Sequence, residues 1–172
     1  MSVYRLFVPK QAVGANLVYF DLFNASGSGV VVEVLGAIPI VSGAVAVAGS
    51  VAVDLHLTRT TTVGTGGTAA TYDGSSLTAA TISSMTVGSQ TPSAVTARLT
   101  PTGGAAAGAV ICWRSVFTEE TNAGTYVPQL DMINERDGML VLNQGSGIRV
   151  VQGAVASVGN IGFDVTFRLR QL

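Results

Sequence analysis

The residues with the most recognisable chemistry lie in VGTGGTAATYDG, Val63 to Gly74, where Gly64, Gly66 and Ala69 stand as G-x-G-x-x-A. In a dinucleotide-binding turn that spacing lets backbone amides close on a pyrophosphate at a helix N-terminus. The chemistry needs a strand before the glycines, a helix after them, and an acid about twenty residues further on. A strand-like stretch does precede Val63. The sequel, TAATYDGSS, makes a turn at Asp73-Gly74 in which no helix can build, and no βα alternation occurs elsewhere. The glycines therefore read as conformational freedom in a loop, and no cofactor is expected. A P-loop fails too, because the chain has no G-K-[ST].

The remaining reactive residues are sparse. His56 is the only histidine, so no multi-histidine zinc site can form within one chain, and no G-x-S-x-G elbow offers it a serine nucleophile. It sits opposite the apolar positions of its strand, which points it to solvent, to the outer sheet surface or into a subunit contact. Cys112, the only cysteine, lies in AVICWRSVF, where Val110, Cys112, Arg114 and Val116 would share one strand face. It reads as a small packed thiol. Carboxylates cluster at Glu119-Glu120 and at Asp131, Glu135 and Asp137. Paired acids can hydrolyse a glycoside or hold calcium, but these spacings match neither arrangement, and Arg136 stands among them. They read as a solvated loop. The sequon Asn24-Ala25-Ser26 has no secretory context, since MSVYRLFVPKQ lacks a basic region followed by an apolar run. No catalytic residue and no metal ligand are expected.

The chain has 172 residues, of which 48% are hydrophobic and only 11% charged, with a net charge of -1. An ordinary soluble domain is about 25% charged. The near-neutral balance offers no attraction to nucleic acid or anionic lipid, so neither is an expected partner. Arginine outnumbers lysine eight to one, a bias suited to interfaces. The uncharged run Val34 to Val53 is long enough to span a bilayer. It carries Pro39 and three glycines, however, and Glu33 and Asp54 flank it instead of basic anchors. Val45, Val47, Gly49, Val51, Val53, Leu55 and Leu57 recur at every second position with small or polar residues between them, which describes a strand with one buried face.

The same period of two recurs in LVYFDLF, where Val18, Phe20 and Leu22 oppose Tyr19 and Asp21. NASGSG then predicts a hairpin into VVVEVLGAI, and GMLVLNQGSGIRVVQGAVA predicts a second hairpin. SAVTARLTP predicts a short strand, VPQLDMI another strand or edge segment, and Ile161 to Arg170 a final strand with Phe163 and Phe167 inward. No long amphipathic helix is visible; the nearest candidate, TEETNAGTY, is short and broken by Gly124. These features predict an all-β fold: a jelly-roll-like antiparallel β-sandwich of about eight to ten strands in one domain over 1–172. The threonine- and glycine-rich stretch 58–93 reads as an extended loop or insertion, with ATISSMTV as a possible edge strand.

In LFNASGSGVVVEV, LHLTRTTTVGTGGTAA, AVTARLTPTGGAAAGAVICWRSVFTEETN and LVLNQGSGIRVVQGAVASVG the chain resembles capsid decoration (cement) proteins of tailed bacteriophages. The resemblance implies a non-enzymatic virion protein on the outer capsid surface, made in the host cytoplasm. Its implied partners are the major capsid protein and itself, as a homotrimer, and its implied action is multivalent contact with several shell subunits. Two segments are candidate interfaces. One is an N-terminal arm over 1–11 with Tyr4, Arg5, Leu6 and Phe7, for which an ordinary first strand is the alternative. The other is the excursion from Arg59 to Tyr72. Other readings are a neck, tail or fibre-associated virion protein, a carbohydrate-binding β-sandwich using Trp113, Tyr72 or Tyr126, and a hydrolase using the acidic loop.

Overall fold

The computed structural model describes residues 2–42, 51–86, 92–103, 107–118, 131–133 and 138–172. Glu119, Glu120, Glu135, Asp137, Tyr126 and the TEETNAGTY segment beyond its first residue, Thr118, lie outside these residues, as does all of VPQLDMI except its last three residues. Twelve strands run through the described residues: β1 (Val3–Ala12), β2 (Val18–Asn24), β3 (Val30–Ser42), β4 (Val51–Thr60), β5 (Thr68–Ala69), β6 (Thr71–Tyr72), β7 (Thr81–Ser84), β8 (Val95–Leu99), β9 (Ala107–Thr118), β10 (Leu140–Leu142), β11 (Ser146–Gln152) and β12 (Asn160–Gln171). They form two six-stranded sheets packed as a sandwich, ordered β10-β3-β12-β1-β7-β6 (sheet A) and β5-β8-β2-β11-β4-β9 (sheet B). Every pairing is antiparallel except the short β6–β7 contact. The all-β sandwich is therefore present, and no described helix is long and apolar enough to cross a membrane.

The strand count exceeds eight to ten because the described part of the 58–93 stretch is more ordered than a loop. β4 continues to Thr60, β5 joins sheet B beside β8, and β6 and β7 extend sheet A beside β1. Its threonines suit strand conformation, and its glycines permit the turns between such short pieces.

The longest pairing builds the core. β12 lies between β3 and β1, and its alternation puts Ile161, Phe163, Val165 and Phe167 inside with no exposed surface. Phe163 meets Tyr19 and Phe20 of the facing sheet, both at 5.3 Å between ring centroids. Tyr4 stacks on Phe167 at 5.6 Å. On the outer face of sheet A, Arg168 and Arg170 of β12 grip Glu33 of β3 at 2.5 and 2.9 Å. The Arg168 hydrogen bond comes first among the causes that hold the Glu33 carboxyl below its ordinary range.

Two expected hairpins are instead arches between the sheets. β2 belongs to sheet B and β3 to sheet A; β10 belongs to sheet A and β11 to sheet B. Asn24 holds both crossings. Its side-chain amide donates to Val30 O at 3.0 Å and Leu142 O at 3.1 Å, and its backbone carbonyl accepts from Gly145 N at 2.9 Å. The short turns favour neighbouring strands, but these donors tie the two corners to each other across the sandwich edge. Asn24→Ala removes a fully buried side chain that donates to Leu142 O in the interior and shares Val30 O with the Ser28 hydroxyl. The expected loss is about 2–3 kcal/mol of unfolding free energy, measured by urea titration.

The free-arm reading of the N-terminus gives way to its alternative. β1 pairs with β12 on one side and β7 on the other, so its backbone is committed along both edges.

Candidate functional site

Among the described residues, the outer face of sheet B brings several polar side chains together. Asp21 of β2 lies directly opposite Arg98 of β8 and Arg149 of β11, so three charged groups share one cross-strand row. Sequence alternation places Asp21 on a solvated face, yet it is only 1% exposed. The cover is the glycine loop. Gly64 N donates to Asp21 Oδ2 at 2.7 Å, and Arg98 Nη1 donates to Gly66 O at 3.0 Å. Thr65 N donates to Gly103 O at 2.6 Å, and Thr102 N to Thr65 O at 3.0 Å, pinning the loop to the segment after β8.

The G-x-G-x-x-A stretch thus does present a glycine amide to an anion, but the anion is the chain's own carboxylate. The close approach explains the residue type: a Cβ on Gly64 would stand 2.1 Å from Asp21 Oδ2 and 2.9 Å from Pro101 Cβ. Burial raises the Asp21 carboxyl above its ordinary range, while the Gly64 amide and Arg98 pull it down. Among the described residues, Asp21 Oδ1 has no hydrogen-bond partner. The glycine loop makes this row a structural clasp closed over Asp21.

Further along the same face, His56 of β4 stands opposite Trp113 of β9, and Asp54 stands opposite Ser115 one pair onward. The imidazole and indole rings meet edge to face at 5.0 Å and 70°. Ser115 Oγ donates to Asp54 Oδ1 at 2.5 Å. Trp113 is 61% exposed, while His56 is half-buried beneath it. The sequence marks His56 and Trp113 individually; their pairing comes from strand register.

Cys112 is half-buried and packs against the core, but Val110 is exposed. Register shifts around Thr58 interrupt β9 there, so the four-residue face expected for AVICWRSVF does not persist. Asp131 is half-buried at the edge of the described segment 131–133.

The six candidate interface residues separate. Tyr4 and Leu6 are core side chains, which removes them from any docking surface. Arg5 lies on the outer face of sheet A, where its guanidinium pairs with Asp164 at 2.5 Å. Phe7 is half-buried on that face and lines a groove of about 310 Å³ with Pro9, Lys10, Ile40 and Leu77. Arg59 is exposed at the end of β4. Tyr72 is half-buried and its hydroxyl donates to Val95 O of the facing sheet, so it acts as a strut between β6 and β8. Burial raises its hydroxyl above the ordinary range.

Comparison with protein-family models, curated proteins and solved structures found no match.

Proposed function

We propose that this chain is a non-enzymatic virion structural protein that binds and stabilises the outside of a tailed-phage capsid shell. The observation that carries the reading is the surface of the sandwich. Ile38, Leu77, Met85, Val110, Val155 and Val158 are exposed on a chain with only 11% charged residues. Such a surface suits a subunit that is covered in its working state. Leu77, 83% exposed, borders the Phe7–Ile40 groove and supplies an apolar anchor beside a depression. Several such contacts, each weak, add up when one molecule spans more than one shell subunit. The major capsid protein and further copies of this chain, as a homotrimer, are the partners in this reading.

Electron microscopy of particles assembled without the protein tests it. The expected result is loss of outer-surface density and shells that break at lower temperature. Loss of a neck, tail or fibre feature would transfer the protein to that part of the particle. Light scattering of the purified chain should give three times the 17.5 kDa chain mass.

A further inference from the structure

We infer that the Trp113 face of sheet B is a binding site for a pyranose sugar, with the indole as stacking platform and Asp54 and Ser115 as its hydroxyl-binding pair. This site lies on the opposite sheet from the Phe7–Leu77 groove, and its argument does not rest on the shell-binding reading.

The platform is preformed. Trp113 is held in a strand, and His56, directly across from it, meets it edge to face at 5.0 Å. A ring fixed in this way loses little freedom when a ligand settles on it. Indole offers a broad apolar surface, and a gluco-configured pyranose offers a flat face of C–H groups with its hydroxyls around the rim. A sugar lying on Trp113 must then find hydrogen-bond partners at its edge.

The sheet supplies them at the right spacing. Ser115 is two residues beyond Trp113 on the same face, so its side chain starts roughly 7 Å away along the strand. Asp54 lies across from Ser115, with their side chains already hydrogen-bonded at 2.5 Å. An ionised carboxylate has about four acceptor sites, and the Ser115 hydroxyl occupies one. The rest can accept from two adjacent sugar hydroxyls, bonds of the stronger, charge-assisted kind.

The chemistry beside the ring selects this ligand over other occupants of an exposed tryptophan. Protein interfaces are depleted in aspartate and serine at their centres, whereas here both adjoin the aromatic. A stacked nucleobase would bring its phosphate towards the Asp54 carboxylate, on a chain whose net charge is already -1; single-strand platforms instead join aromatics to a positive groove. Neutral hydroxyls meet neither obstacle.

Trp113 is the only tryptophan in the chain, so its emission reports the site directly. The intact protein is titrated with cellohexaose and with chitohexaose up to about 10 mM, a range suited to a dissociation constant on the order of 0.1–1 mM. A saturable shift of Trp113 emission with at least one of the two is the expected result. Asp54→Asn should weaken that binding about tenfold, and Trp113→Ala should abolish it when followed by calorimetry. Trp113 is exposed and Asp54 half-buried on the outer face, and unchanged urea midpoints will show that the fold is kept. No saturable change with either sugar, or wild-type affinity in either variant, overturns the proposal. Its failure leaves the particle-microscopy result unaffected, because that experiment reads shell attachment alone.

Discussion

Phe163→Ala is expected to remove about 3–5 kcal/mol of unfolding free energy, towards the upper end of that range. Phe163 has no exposed surface and belongs to β12, the most extensively paired strand of sheet A. Its ring reaches across the sandwich to both Tyr19 and Phe20 of β2. The cost of a cavity depends on how far its neighbours can close in, and here one wall is fixed. Tyr19 donates its hydroxyl to Gln152 Oε1 at 2.7 Å, and Gln152 Oε1 also accepts from Gly14 N at 2.8 Å. Tyr19 cannot fall into the space without breaking a buried hydrogen bond. Against a typical total of about 5–15 kcal/mol, the loss is a large fraction of the stability. Urea titration should show a lower midpoint with an unchanged slope. Phe163→Leu should cost about half as much, because it leaves a smaller void. A loss under about 1 kcal/mol for the alanine variant would mean that the two sheets do not depend on this contact.

Period-two alternation made the strand class readable, because a half-buried strand requires it. In β12 the inward and outward residues follow it from Ile161 to Arg168. Partner choice was not readable in the same way. NASGSG and NQGSG look like hairpin turns, and the same flexible residues serve equally well to carry a chain from one sheet to the other. What distinguishes the arches is Asn24, a residue whose two donors reach carbonyls 6 and 118 positions away. No local pattern contains that information. The Asp21 row was hidden for a related reason. Alternation correctly puts Asp21 on the outer face of β2, but the Gly64 loop then covers that face from 43 residues away. Arg98 and Arg149 become its neighbours only through sheet order.

The sugar-binding face illustrates the same division between residue type and register. Trp113 and His56 each stand out in the sequence, as rare residues at positions of interest. Asp54 and Ser115 do not, since a carboxylate and a serine are ordinary on a solvated strand. The β4–β9 register makes the four into one surface. The N-terminal segment shows the converse. Tyr4, Leu6 and Phe7 look like an apolar arm when read as a group, but their alternate placement sends Tyr4 and Leu6 into the core and Phe7 to the other face.

Gly64→Ala should cost about 2–4 kcal/mol at neutral pH, and part of that deficit should depend on pH. The added Cβ would lie 2.1 Å from Asp21 Oδ2 and 2.9 Å from Pro101 Cβ, so the Gly64 amide must draw back from the carboxylate, while the backbone bonds of Thr65 with Gly103 and Thr102 keep the rest of the loop over it. Asp21 then loses the amide that stabilises its charged form. In the wild type burial already raises the Asp21 carboxyl, so folding favours the protonated acid. The corresponding stability is fully present below the ordinary carboxylate pKa and is lost as pH rises through the raised folded value. Removing the Gly64 amide moves that folded value further up. The variant should therefore lose more stability than the wild type as pH rises towards neutrality, and the gap between them should narrow on acidification. The contact with Pro101 does not titrate, so a pH-independent deficit will remain at the acid end. Urea midpoints measured across this range separate the two parts. In an Asp21→Asn background the pH-dependent part should vanish while the steric part persists; a gap that is constant with pH in the presence of Asp21 would show that the loop's amide does not bear on the carboxylate.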